Sequence, residues 1–328
     1  MNPPTTSALR KSGKGVGKAV EVLLSRLIDY AGLFPPAGLG MLPAVSNYDS
    51  YLRSGYSWIL GRFILPAGRL NEFEEATGRM MAADSKPWHP THRRVRDEWG
   101  SLGVSALLGS DAEADIARIV AFNARMSNSG NGRTALVESV EVKAESPADV
   151  ARLSGIIPRE FPVYFETPLA GHEAESIDAI AKCGRRAKVR TGGETADKFP
   201  DAARLVEFVR LCALAGVPFK ATAGLHHPIR SVHRLTYQQD SPSGLMHGFL
   251  NVFLAAAFVK AGMETRLAME LLEEQSAAAL QFDSEGVVWR EQPLPWPVIA
   301  AARQDFAVSF GSCSFTEPVD DLRSLGLL

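Results

Sequence analysis

The chain has 328 residues, 46% of them apolar and 22% charged, with a formal net charge of −2. That is length enough for one large core and the average balance of a globular protein, and it excludes a general electrostatic attraction to nucleic acid or to an anionic membrane. Cys183, Cys212 and Cys313 are an odd, scattered set without a C-x-x-C pair, so no disulfide framework or cysteine zinc site is indicated and a cytoplasmic location is expected.

Residues 1–16 carry basic side chains without a following apolar core and read as a flexible leader ahead of a single domain, 17–328. From Leu27 onward, short apolar runs alternate with segments of helical period. In chain order the pattern predicts strands at 27–30 and 58–65, a helix at 70–82, a strand at 104–108, a helix at 112–126, a strand at 136–143 and a helix at 147–153. It continues with a strand at 163–166, a helix at 173–182, a strand at 187–191, a helix at 201–215, a strand at 218–222, a helix at 245–262 and a last strand at 306–310. Asp111, Ser146 and Ser243 stand where helix caps belong, and Gly184, Gly216 and Gly262 where helices stop.

Eight strands alternating with helices, without a G-x-G-x-x-G after the first strand and without a P-loop, predict an α/β fold: a single (β/α)8 TIM barrel rather than an open nucleotide-binding sheet. Two stretches exceed the minimal barrel. Residues 69–103, with WHPTHRRVRDEWG, read as an enlarged second β/α connection whose basic run is a solvated loop, and 264–297 as an extra helical segment followed by a polar turn and PLPWP. The longest apolar run, 249–259, is too short to span a bilayer and reads as a buried helix. It can pack internally or against a second copy, which leaves a homo-oligomer open.

Active sites of such barrels sit at the C-terminal ends of the strands. Strands four to seven end in VESVEVKAES, VYFETP, AKVRTGG and FKATAGLHHP, and the two-residue period turns Glu141, Lys143, Glu166, Lys188, Arg190, Lys220 and Thr222 inward. For any one of these a structural salt-bridge network is the competing reading; four consecutive strands ending in such groups favour a site. A lysine held beside other cations loses its proton more easily and can attack a carbonyl to give a Schiff base, and Lys188, with Arg190 and Lys220 as neighbours, is placed for that. Thr191, Gly192 and Gly193, then Gly224, then Gly311 and Ser312, follow the last three strands. Backbone N–H groups in such loops hold phosphate or carboxylate, although plain turn geometry also calls for glycine.

Taken together, these elements resemble the deoxyribose-phosphate aldolases and their class I aldolase relatives. Ile28-Asp29-Tyr30-Ala31-Gly32-Leu33 is similar to the family's first strand. Tyr164-Phe165-Glu166-Thr167, Lys188-Val189-Arg190-Thr191-Gly192-Gly193, Lys220-Ala221-Thr222-Ala223-Gly224 and Gly311-Ser312-Cys313 follow in the family's order. The resemblance implies that Lys188 is the Schiff-base lysine, that Lys220 depresses its pKa, and that Glu141 serves proton transfer, a task we extend to Asp29. Glu166 is expected to orient a lysine. No cofactor is implied, and the expected partner is a small anionic carbonyl metabolite. The chain departs from the family at Arg190, where a small hydroxyl residue is usual, which points to a different, acidic substrate, and in the long LHHPIRSVHRL connection with its three histidines.

Other readings stay open. His226 and His227, with Glu166 or His247, are types of residue that bind a divalent metal for lyase or hydrolase chemistry, but adjacent histidines on an extended segment point apart and no H-x-H or H-E-x-x-H occurs. The blander roles for the histidines are substrate contact or a satisfied loop structure. Cys313 follows the last strand, as a nucleophile or as a small buried residue. A barrel that keeps an anion pocket without turnover is the non-enzymatic alternative.

Overall fold

The computed structural model describes residues 16–83, 101–127 and 134–328, and the chain closes into a TIM barrel. Its staves are β1 (Ile28–Tyr30), β2 (Leu60–Pro66), β3 (Ser101–Leu107), β4 (Thr134–Lys143), β5 (Val163–Glu166), β6 (Arg186–Arg190), β7 (Phe219–Thr222) and β13 (Ala307–Ser312). They run in the order β1-β13-β7-β6-β5-β4-β3-β2, and neighbours are parallel throughout. Staves such as β5 and β7 are buried along nearly their whole length: inward side chains meet other strands and outward ones meet helices.

Among the described residues the helices are α1 (Lys18–Leu24), α2 (Met41–Leu52), α3 (Leu70–Ala83), α4 (Ala112–Ser127), α5 (Pro147–Ile156), α6 (Glu173–Lys182), α7 (Ala202–Ala215), α8 (Phe249–Lys260), α9 (Thr265–Glu273), α10 (Trp296–Asp305) and α11 (Thr316–Ser324). Ser146 caps α5 by accepting from the Asp149 N–H, and Gly216 ends α7 in the left-handed conformation at φ 65°. Asp111 likewise accepts from the Ala114 N–H at the start of α4. The sequence reading did not include α2. Its Pro43 lies in the first turn, where a missing N–H breaks no helical hydrogen bond.

Two regions differ from expectation. Ser243 is not a cap: β8 (Ser231–Arg234) and β9 (Ser243–Met246) form an antiparallel hairpin, and α8 starts only after Gly248. A Cβ on Gly248 would lie 2.5 Å from the Ile229 Cα, so the helix entry is fixed by a close backbone approach. Further on, the polar turn belongs to a three-stranded antiparallel sheet of β10 (Leu280–Phe282), β11 (Gly286–Trp289) and β12 (Gln292–Pro295), which follows α9. The WHPTHRRVRDEWG stretch lies outside the described residues, so the size of the second connection is fixed only by its ends. The leader likewise lies outside them, apart from Val16.

Helix α8 carries no polar face because α7, α9, α10 and β13 cover it inside the chain. Its only polar residue before Lys260, Asn251, is satisfied: Nδ2 donates to the Leu271 and Glu274 carbonyls at 2.9 Å and Oδ1 accepts from the Arg230 N–H at 3.0 Å. Since 249–258 are buried within one chain, this helix has no apolar face left for a second copy. Among the described residues no helix is long and apolar enough to cross a membrane.

Candidate active site

The C-terminal ends of the staves open into a cavity of about 1170 Å³, lined by strand-terminal residues that include Leu107, Lys143, Glu166, Arg190 and Thr222. A row of side chains with alternating charge leads into it from the barrel interior. Lys220 Nζ lies 2.7 Å from Asp29 Oδ2 and 2.7 Å from Glu141 Oε1. Glu141 Oε2 lies 2.7 Å from Lys188 Nζ, which is also 2.8 Å from Glu166 Oε2. Glu166 Oε1 then accepts from Arg190 Nε at 3.1 Å. Side-chain exposure rises along the row, from 1% at Lys220 and Asp29 through 4% at Lys188 and 11% at Glu166 to 45% at Arg190.

This geometry follows from register. Lys188 pairs with Lys220 and Glu166 with Lys188 across parallel strands, so consecutive staves bring opposite and like charges to one level. Hydroxyls complete the inner end: Ser105 Oγ donates to Glu141 Oε1 at 2.7 Å and receives Ser139 Oγ at 2.9 Å, while Ser309 Oγ donates to Asp29 Oδ2 at 2.8 Å. Asp29 Oδ1 accepts the Arg62 backbone N–H at 2.7 Å. That contact needs Gly61, since a Cβ there would lie 2.2 Å from Oδ1.

The charges set one another's ionisation. Burial alone would raise the Glu141 pKa, but the Lys188 and Lys220 ammoniums outweigh it and hold the carboxyl well below the usual range. Burial would likewise lower Lys220, yet Asp29 and Glu141 raise it above the ordinary lysine value. Glu166 is lowered, again against burial, by Lys188 first and then Arg190. The two lysines differ in how they are held. Lys220 makes hydrogen bonds to both of its carboxylates, whereas the ion pair of Lys188 with Glu141 Oε2 lacks hydrogen-bond alignment.

Of the residues singled out in the sequence, Glu141, Glu166, Lys188 and Arg190 line the cavity together with Lys143, Gly193, Thr222, Gly224, His226 and Gly311. Lys220 and Asp29 do not. They bind each other behind the lining, so Asp29 holds Lys220 and is not presented to a ligand. Nor does Lys220 meet Lys188 as a bare cation, because Glu141 stands between them. Thr191, Gly192, His227 and Ser312 also lie off the lining. Thr191 Oγ1 donates to the Ala223 carbonyl at 2.6 Å, and Ser312 Oγ accepts from the Ser314 N–H at 3.3 Å. Gly192 and Gly224 are packed back to back, since a Cβ on Gly192 would lie 2.8 Å from the Gly224 Cα. Their smallness therefore serves loop packing first.

The histidines turn to α11. His226 Nδ1 lies 2.9 Å from Glu317 Oε2 and His227 Nδ1 2.6 Å from Asp321 Oδ2, carboxylates one turn apart on that helix. Adjacent histidines therefore reach the same helix face, because the connection bends, with Ala223 and Gly224 both at positive φ, instead of running extended. His247 Nε2 is occupied by the Pro200 carbonyl at 2.7 Å. Glu166 and the histidines thus have separate partners. Among the described residues no group of three or more His, Cys, Asp or Glu side chains forms a metal-binding arrangement. The sequence reading missed Ser105, Ser139, Ser309, Glu317 and Tyr237, which belong to no motif and come from distant segments. No family model and no curated protein matches the chain.

Proposed function

We propose that the protein is a cofactor-independent lyase of the aldolase type, forming a Schiff base between Lys188 and a small carbonyl compound that carries a carboxylate or phosphate. The observation that carries this reading is the setting of Lys188: a nearly buried amine lining the cavity, with carboxylates at 2.7 and 2.8 Å. An amine attacks a carbonyl only after losing its proton, and Glu166, beside Nζ and partly open to the cavity, is the acceptor. The carbinolamine then loses water, with the proton returned from Glu166. In the iminium that remains, the electron pair of a breaking carbon–carbon bond is drawn into an enamine, and Glu141 is the second carboxylate able to exchange protons near the reacting atoms. Lys220, fixed as a cation, keeps Glu141 ionised.

Arg190, Lys143 and Lys198 on the cavity wall suit an anionic substrate, in keeping with an arginine in place of the small hydroxyl residue of the aldolases that the sequence resembles. The barrel itself hosts many chemistries and supplies no more than the scaffold. The test is α-proton exchange in D2O, followed by NMR over a panel of small keto acids and sugar phosphates. Enamine formation predicts exchange by the native protein and none by Lys188→Met. If exchange persists in the variant, the Lys188 mechanism is wrong; if no compound exchanges but several bind, the barrel is an anion-binding protein.

A further inference from the structure

A second reactive cluster borders the same cavity on the side of β13 and the β7 connection. Cys313 directly follows β13, and its Sγ lies 3.9 Å from His226 Nε2; His226 Nδ1 lies 2.9 Å from Glu317 Oε2 on α11. Tyr237, from the turn of the β8–β9 hairpin, places its hydroxyl 3.6 Å from Cys313 Sγ and donates to Glu317 Oε2 at 3.2 Å. Thiol, imidazole and carboxylate thus stand in the order nucleophile, base and orienting group. With Glu317 on Nδ1, the Nε2 of His226 is left for the thiol.

Four features separate this from an inert buried cysteine. Cys313 and His226 both line the cavity, so a ligand can reach the pair. Cys212, by contrast, is fully buried, and burial pushes its thiol pKa well up. Burial would lower His226, but hydrogen bonds to Cys313 and Glu317 raise it to about 9, the direction expected of an imidazole prepared to hold a thiol proton. His227 bonds Asp321 one helical turn away, and its Nε2 lies 3.8 Å from Glu317 Oε1, so that Glu317 Oε2 is the oxygen left to His226 and Tyr237. Finally, the cationic side chains Arg190, Lys143 and Lys198 face the same space.

We infer that Cys313, His226 and Glu317 form a nucleophilic acyl-transfer centre acting on thioesters or activated esters of small acids that carry a second, free carboxylate. Cys313 attacks as the thiolate of an ion pair with the His226 imidazolium, and its sulfur bonds to the acyl carbon. Collapse of the tetrahedral adduct breaks the bond to the leaving thiol or alcohol, which departs with the proton from His226. Water, deprotonated by the now neutral His226, then attacks the acyl carbon and the carbon–sulfur bond breaks, restoring the Cys313–His226 ion pair, so the net reaction is hydrolysis without an external oxidant or reductant. The inference stands on the thiol cluster and does not require the Schiff-base reading of Lys188.

The experiment is acylation of the full-length protein by the N-acetylcysteamine thioesters of acetate and succinate. Thiol release is followed in time, and the adduct is located by peptide mass mapping. The expected result is a burst of at most one equivalent of thiol with the acyl group on Cys313, faster with succinyl than with acetyl. His226→Gln should slow the burst by about 100-fold or more, the scale of a lost acid–base group, while Cys183→Ser leaves it unchanged. If His226→Gln does not fold, alkylation of the native protein by iodoacetamide replaces it, with Cys313 expected to react well before Cys183. Acylation at Cys183 instead, a His226→Gln burst as fast as native, absence of any Cys313 adduct, or Cys313 alkylated no faster than Cys183 overturns the inference.

Discussion

The two ends of the barrel each bury cations, and they solve the problem differently. At the N-terminal ends of the strands, Arg303 donates to the backbone carbonyls of Leu23 at 2.8 Å and Ser25 at 3.1 Å, and also to those of Ala307 and Val308. Arg185 does the same with the carbonyls of Ile157 at 2.6 Å and Phe161 at 3.1 Å. These guanidiniums bind carbonyls where helices end and a strand begins, and their planar fork suits several carbonyls at once. At the C-terminal ends the cations are lysines and their partners are carboxylates. Neutral carbonyls tie a structure together without being able to accept a proton under physiological conditions; carboxylates hold a lysine and can also take its proton. The contrast therefore separates cations held by groups that keep their state from cations held by groups that can exchange a proton.

Neutralising Lys220 is expected to have the largest effect. Lys220→Met leaves Asp29 and Glu141 buried without their shared cation, a loss of about 3–5 kcal/mol, read as a fall in the urea midpoint. Arg303→Met should cost about 2–4 kcal/mol from carbonyls left without donors but, unlike Lys220→Met, should not alter the ionisation of the cavity. A smaller loss, about 1–3 kcal/mol, is expected for Gly61→Ala, whose methyl displaces Asp29.

A finer distinction comes from pH. The folded-state pKa of His226, about 9, stands above its ordinary value of 6.5. The stability it contributes is therefore complete below pH 6.5 and is lost as pH rises through 9. Thermal melts of the native protein should show that alkaline decline, and His226→Gln should flatten it. The smallest effect belongs to the exposed pair Arg323–Asp320 on α11: Arg323→Ala should change stability by less than about 0.5 kcal/mol.

Much of this organisation was legible in the sequence. Strands such as 163–166 and helices such as 173–182 announce themselves by length and period, and their alternation fixes the barrel. Placing Glu141, Glu166, Lys188 and Lys220 in the barrel interior followed from the two-residue period. What the period could not give was depth. Lys188 and Lys220 read alike as inward lysines, but only the closed barrel sets Lys220 behind the cavity with Asp29. The small three-stranded sheet was hidden because its strands are short and carry Pro293 and Pro295 on an edge. Glu317 was invisible as a partner of His226 because 91 positions separate them and no spacing rule links a β7 connection to the last helix.

The most direct test is reductive trapping with borohydride over the same panel of keto acids and sugar phosphates, followed by peptide mapping. The account predicts one reduced adduct per chain, on Lys188, with Lys220 and the surface lysines unmodified. An adduct on any other lysine, or none with compounds that demonstrably bind, would contradict it.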